Sequence, residues 1–154
     1  MCGSSFLRPP ARHDAMARLR ETQLLSAGMD LSDGLARDAA HLAAASGVRV
    51  VLERSRVPVL AAAAVALGEA VARDLALAGG EDYELLIAAR PGLGDRAAAL
   101  DRVCGTALTR VGRIEVGEGV VLEEADGRPV PLPAGSGFDH FPAPAVAPRA
   151  EGGP

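Results

Sequence analysis

Aromatic side chains are almost missing from this chain. One Tyr, three Phe and no Trp stand among 154 residues, although 49% of the residues are hydrophobic. A core is therefore expected, and it must be built from Ala, Val, Leu and Ile. The scarcity also makes each ring informative, and Tyr83, Phe138 and Phe141 all fall inside polar motifs.

Apolar spacing then sets the element types. The stretch "ARHDAMARLRETQLLSAG" predicts a helix with Ala15, Leu19 and Thr22 along one face, and "GMDL" predicts a short strand. From Gly34, Leu35, Ala39, Leu42 and Ala43 recur at helical spacing until Ser46-Gly47, a C-terminal stop. "VRVVLE" reads as a strand, and "VPVLAAAAVALGEAVARD" as a helix or helix pair after Pro58. "YELLIAAR" reads as a strand and "GDRAAALDRVCG" as a short helix. The following segment reads as strands broken at Gly117 and at an Asp126-Gly127 turn. Helices alternating with strands, then a run of strands, predict an α+β domain, a layered α/β arrangement with a mixed sheet. We expect residues 1–10 to be an irregular lead-in, 11–141 one domain, and the Pro/Ala/Gly-rich 142–154 a disordered tail.

Charge and cysteine usage exclude several functions. All sixteen Lys+Arg positions are Arg, which removes a Schiff-base lysine and any lysine-bearing phosphate loop. A net charge of −4, with arginines scattered singly, argues against nucleic acid or an anionic membrane as partner. Cys2 and Cys104 have no metal-like spacing and read as reduced thiols. No apolar run reaches a membrane-spanning length, and the N-terminus lacks a signal-peptide core, so a soluble cytoplasmic protein is expected.

Three motifs carry the chemistry. In "AGMDLSDGLARD", Asp30, Ser32 and Asp33 crowd a strand-to-helix junction. Ser32 or Asp33 would cap the helix, or the two aspartates would share Mg²⁺ beside a nucleotide phosphate at the helix N-terminus. Spacing alone leaves both readings open. A calcium loop is excluded, because Gly34 falls at its fifth position and His41 at its twelfth. In "AGGEDYELL", Glu81, Asp82 and Glu84 crowd a strand start behind paired glycines; this is a solvated acidic turn or a ligand contact in which Tyr83 stacks on a heterocycle. "GSGFDHF" holds Phe138, His140 and Phe141, and reads as a terminal segment anchored by two rings.

Together and in this order, "GMDLSDGLARDA", "LAGGEDYEL" and "GFDHF" resemble the thiamine-monophosphate kinase family, within the ATP-binding superfamily of aminoimidazole ribonucleotide synthetase. The resemblance runs from about Arg8 to Phe141 and corresponds to that family's C-terminal half. It implies transfer of the ATP γ-phosphate onto thiamine monophosphate, giving thiamine diphosphate. It implies Asp30 and Asp33 as Mg²⁺ ligands, Ser32 as an ATP contact, and Glu81 and Phe138 as substrate contacts. It also implies a homodimer built through an N-terminal domain of comparable size. This chain begins roughly where that domain ends, and an N-terminal half supplied as a separate polypeptide, a truncated gene product and an excised domain are the open alternatives. Other members of the superfamily, such as hydrogenase-maturation proteins, and a non-catalytic binding module are the competing expectations.

Overall fold

The computed structural model describes residues 12–133. Helix α1 (His13–Glu21) leads into strand β1 (Leu25–Asp30), helix α2 (Leu35–Ser46) and strand β2 (Arg49–Glu53). A single 3-10 turn at Arg54–Arg56 precedes helices α3 (Ala61–Leu67) and α4 (Glu69–Ala78). Strand β3 (Leu85–Ala89), helix α5 (Leu93–Cys104) and strands β4 (Gly112–Glu115), β5 (Gly119–Glu123) and β6 (Pro129–Val130) complete the order.

The strands form two sheets. β1 and β3 make an antiparallel pair, with Asp30 opposite Leu85. The second sheet has the order β4-β2-β5-β6, in which β2 runs parallel to β5 and the outer pairs are antiparallel. The expected mixed sheet is thus present. Helix α2 lies across both sheets and buries Leu35, Ala36, Ala39, Leu42 and Ala43 against Val50, Leu52, Leu86 and Leu122. Leu77 of α4 and Val57 close the same core. Its buried members are all Leu, Val or Ala, as the shortage of rings requires.

The first predicted helix is shorter than its spacing suggested. It ends at Glu21, where the Thr22 hydroxyl donates to the Leu19 carbonyl at 2.6 Å and then accepts from the Leu24 N–H at 3.2 Å. Gln23 turns the chain with a left-handed φ of 58°. Residues 25–28, expected to be helical, instead enter β1, because pairing with β3 satisfies their backbone. Ala15 and Leu19 are buried as expected.

The segment after Pro58 is a helix pair. Gly68, at φ 85° and ψ 149°, ends α3 and begins α4. No side chain of α3 is buried, and Leu60, Val65, Val71 and Leu75 of this pair face outward. The expected turn at Asp126-Gly127 joins β5 to β6, with Gly127 at φ 81° and the Asp126 carboxylate accepting the Arg128 N–H at 3.0 Å. Among the described residues, no helix is long and apolar enough to cross a membrane.

Candidate functional site

The first two motifs meet through their backbones. Past the end of β1, the Leu31 N–H donates to the Glu84 carbonyl at 2.8 Å and the Tyr83 N–H donates back to Leu31 at 2.8 Å. The Glu81 N–H then reaches the Ser32 carbonyl at 2.9 Å. Two glycines make this contact sterically possible. A Cβ on Gly80 would stand 2.7 Å from the Ser32 carbonyl oxygen, and one on Gly34 would stand 2.9 Å from those of Ala78 and Gly79. The "DLSDG" loop and the "GGEDY" segment are therefore one structural unit, although about fifty residues separate them.

The unit is bent where it matters. Glu81 and Tyr83 hold left-handed φ values of 69° and 51°, which side-chain-bearing residues seldom adopt. This bend explains why β3 starts at Leu85, two residues later than the apolar pattern predicted. It leaves Glu81, Asp82 and Tyr83 exposed beside the loop. Glu84 is committed elsewhere: its two oxygens accept from Arg12 Nε at 2.8 Å and Nη2 at 2.5 Å, tying the start of α1 to this segment. The Asp82 carboxyl is held above its ordinary range, first by partial desolvation and then by repulsion from Glu84.

Asp30 ends β1 on its exposed side, while Ser32 and Asp33 lie half-buried in the loop that follows. Neither caps the helix. α2 begins at Leu35 behind Gly34, and no side chain makes a capping hydrogen bond there. Asp33 instead lies with Oδ2 3.8 Å from Arg37 Nε, a distance too long for a hydrogen bond. Ser32 and Glu81 are brought together through the backbone; Asp30 is not drawn into the Asp33 side-chain cluster described below. Phe138, with His140 and Phe141, lies outside the described residues.

The residue that sequence reasoning missed is Asp38. It is 1% exposed, and its Oδ2 accepts the N–H groups of both Ser32 and Asp33, at 3.0 and 3.1 Å. These two loop amides are therefore not free to cradle a phosphate, while the first N–H groups of α2 itself begin at Leu35. A signal for Asp38 was present. It lies three residues after Leu35 and four before Leu42, on the stripe that faces the core, where an acid needs a reason to be.

The electrostatic balance of the unit is acidic. Asp30, Asp33, Asp38, Glu81 and Asp82 share these two segments with one arginine, Arg37, which lies near Asp33, and Arg12 is taken by Glu84. Such a surface repels a bare phosphate and attracts a divalent cation. Carboxylate oxygens are the hard donors that Mg²⁺ prefers, so the exposed Asp30 and the half-buried Asp33 fit that ion chemically.

Comparison with known proteins gives the family. The family described as AIR synthase related protein, C-terminal domain, matches residues 4–124. A thiamine-monophosphate kinase of Aquifex aeolicus is 36% identical over 138 residues, which is 88% of this chain and 40% of that protein. The solved structure of AaThiL complexed with AMPPCP and TMP superposes with a TM-score of 0.66 at 32% identity, over 89% of this chain and 40% of the other. The structure of Escherichia coli HypE superposes with a TM-score of 0.59 at 25% identity, over 78% of this chain and 38% of the other. The chain spans 28% to 42% of the length of the curated relatives it matches, all of them thiamine-monophosphate kinases.

Proposed function

The chain belongs to the AIR synthase-related family, whose C-terminal domain it matches, and from that premise we propose that it is the C-terminal domain of a thiamine-monophosphate kinase. The reaction is transfer of the ATP γ-phosphate onto the phosphate of thiamine monophosphate. The observation that carries this reading is the joining of "DLSDG" and "GGEDY" into one acidic unit by three backbone hydrogen bonds. Phosphoryl transfer needs little covalent chemistry from the protein and much positioning and charge neutralisation.

In this reading Asp30 and Asp33 hold Mg²⁺, which supplies neutralisation of the phosphate charge. Ser32 contacts ATP through its hydroxyl, because its N–H is already held by Asp38. Glu81 and Phe138 contact thiamine monophosphate, and the exposed Tyr83 ring stands next to Glu81. The "GGEDYEL" motif supports a thiamine substrate over the hydrogenase-maturation reading that the likeness to HypE would otherwise allow. Positioning two reactants together is worth about 7–11 kcal/mol, so activity requires the N-terminal part of the kinase, in the same or a separate polypeptide. The domain extends over 11–141 with 142–154 as a tail, works in the cytoplasm, and joins a homodimer through that N-terminal part.

The test is product formation. The purified chain, alone and mixed with the separately produced N-terminal domain of the Aquifex relative, is incubated with ATP, Mg²⁺ and thiamine monophosphate. Thiamine diphosphate is followed by chromatography. Product from the mixture that disappears with Asp30→Asn is expected. Nucleotide that neither binds nor reacts under any of these conditions would sink the reading.

A further inference from the structure

Asp38 is the one charged residue buried among the described residues, and only half of its carboxylate is satisfied. Oδ2 takes the two loop amides, whereas the equally inaccessible Oδ1 has no hydrogen-bond partner. An oxygen in that position calls for a donor or a cation. His41 lies one turn further along the same helix, its Nδ1 3.9 Å from Asp38 Oδ1 and so beyond hydrogen-bond range. Asp33 closes the third side, and one ligand atom from each of Asp33, Asp38 and His41 lies within 4.8 Å of the others.

We propose that Asp33, Asp38 and His41 form a binding site for one divalent transition-metal ion, distinct from the magnesium carried in with the nucleotide. Donors about 2.1 Å from a metal stand at most about 4.2 Å apart; the Asp38–His41 separation of 3.9 Å is inside that limit, and the set as a whole, spread within 4.8 Å, would contract slightly around an ion. The His41 side chain is 54% exposed, so its ring can swing toward Asp38 without disturbing the core.

The donor set selects the ion class. An imidazole with two carboxylates suits Mn²⁺, Fe²⁺ or Zn²⁺ better than Mg²⁺ or Ca²⁺, which take oxygen donors. Three protein donors leave further positions for water or a phosphate oxygen. Arg37 is the competing cation, and at 3.8 Å its hold on Asp33 is weak. Asp33 also belongs to the proposed magnesium set, and a carboxylate can bridge two ions through its two oxygens. The new site depends on the geometry around Asp38 and not on the kinase reading.

The test uses Mn²⁺ alone, without nucleotide, added to the purified full chain, with the free ion followed by its aqueous electron paramagnetic resonance signal. One ion bound per chain is expected, with affinity at least tenfold lower in His41→Ala and in Asp38→Asn. His13→Ala should leave it unchanged. His41 is half-exposed, and the amide oxygen introduced by Asp38→Asn still accepts from the loop amides, so both variants keep the fold. Asp30→Asn separates the two readings, since it should abolish nucleotide-dependent stabilisation and leave Mn²⁺ binding intact. Wild-type chain that binds Mn²⁺ but never nucleotide, even when mixed with the N-terminal domain, would remove the kinase reading alone. No bound Mn²⁺, or equal affinity in His41→Ala and wild type, would overturn the proposal.

Discussion

Replacing Gly34 with Ala tests the backbone contact on which the candidate site depends. Gly34 sits at φ 108° and ψ 147°, a region open almost only to glycine, and a side chain there costs about 1–3 kcal/mol. The new Cβ would also stand 2.9 Å from two backbone carbonyl oxygens, of Ala78 and Gly79, which cannot rotate away as a side chain could. Overpacking of that kind adds about 1–3 kcal/mol. The expected loss is about 3–4 kcal/mol, or roughly 12–16 °C in Tm for a domain of this size. Gly47→Ala is the control. Gly47 is also left-handed, at φ 62°, but a Cβ there meets nothing within 4 Å. Only backbone strain of about 1 kcal/mol applies, which lowers Tm by about 4 °C. Thermal unfolding of the three proteins by circular dichroism decides the matter. If Gly34→Ala loses no more than Gly47→Ala, the two motifs are not packed backbone on backbone and the site described above is wrong.

Asp38→Ala leaves the Ser32 and Asp33 amides without their acceptor and should lower stability by about 2–3 kcal/mol in urea unfolding; Asp38→Asn, which retains an acceptor oxygen, should recover at least half of that. Asp33→Asn removes neither a cap nor a close ion pair, so its unfolding free energy should change by less than about 0.5 kcal/mol, while any rise in Tm with Mg²⁺ and ATP disappears. The raised Asp82 carboxyl stabilises the fold only when protonated: that contribution is present below the unfolded pKa of about 3.9 and is lost as pH rises through the higher folded value. Asp82→Asn should therefore raise Tm at pH 7 and lose this advantage by about pH 4; an advantage that instead grew on acidification would show the sign to be wrong. Glu84→Gln should weaken the link from Arg12 by about 1 kcal/mol or less, and the deficit should shrink in high salt.

Much of the fold was legible because local signals and packing agree. Leu35, Ala39, Leu42 and Ala43 lie at helical spacing and are buried, and Gly47 ends the helix in the left-handed conformation the sequence implied. Errors fell where a backbone turn depends on residues with no special turn chemistry. Gln23, Glu81 and Tyr83 all adopt positive φ, and nothing in their side chains announces it. The first misplaced the boundary of α1, and the other two the start of β3. Sheet order was also hidden, since periodicity describes one strand at a time and says nothing of its partner. At the site, the motif residues were identifiable one by one. Their joining was not, because it runs through carbonyls and amides that every sequence has. Asp38 was overlooked for a different reason: a carboxylate on a helix is normally read as solvated, and only its phase relative to Leu35 and Leu42 marks it as buried.

The sheet order also governs when the chain can fold during synthesis. β2 is flanked by β4 and β5, so Arg49 waits for Glu115 on one side and Gly119 on the other. β1 likewise has no partner until Leu85 to Ala89 have been made. At translation rates of about 5–20 residues per second, Val50, Val51 and Leu52 remain uncovered for roughly 3–12 s, as a short β-prone segment with both edges open. Arg49 and Glu53 stand at its two ends. Charged residues that flank an exposed apolar strand discourage pairing between nascent chains, so these two protect the segment before its partner strands exist.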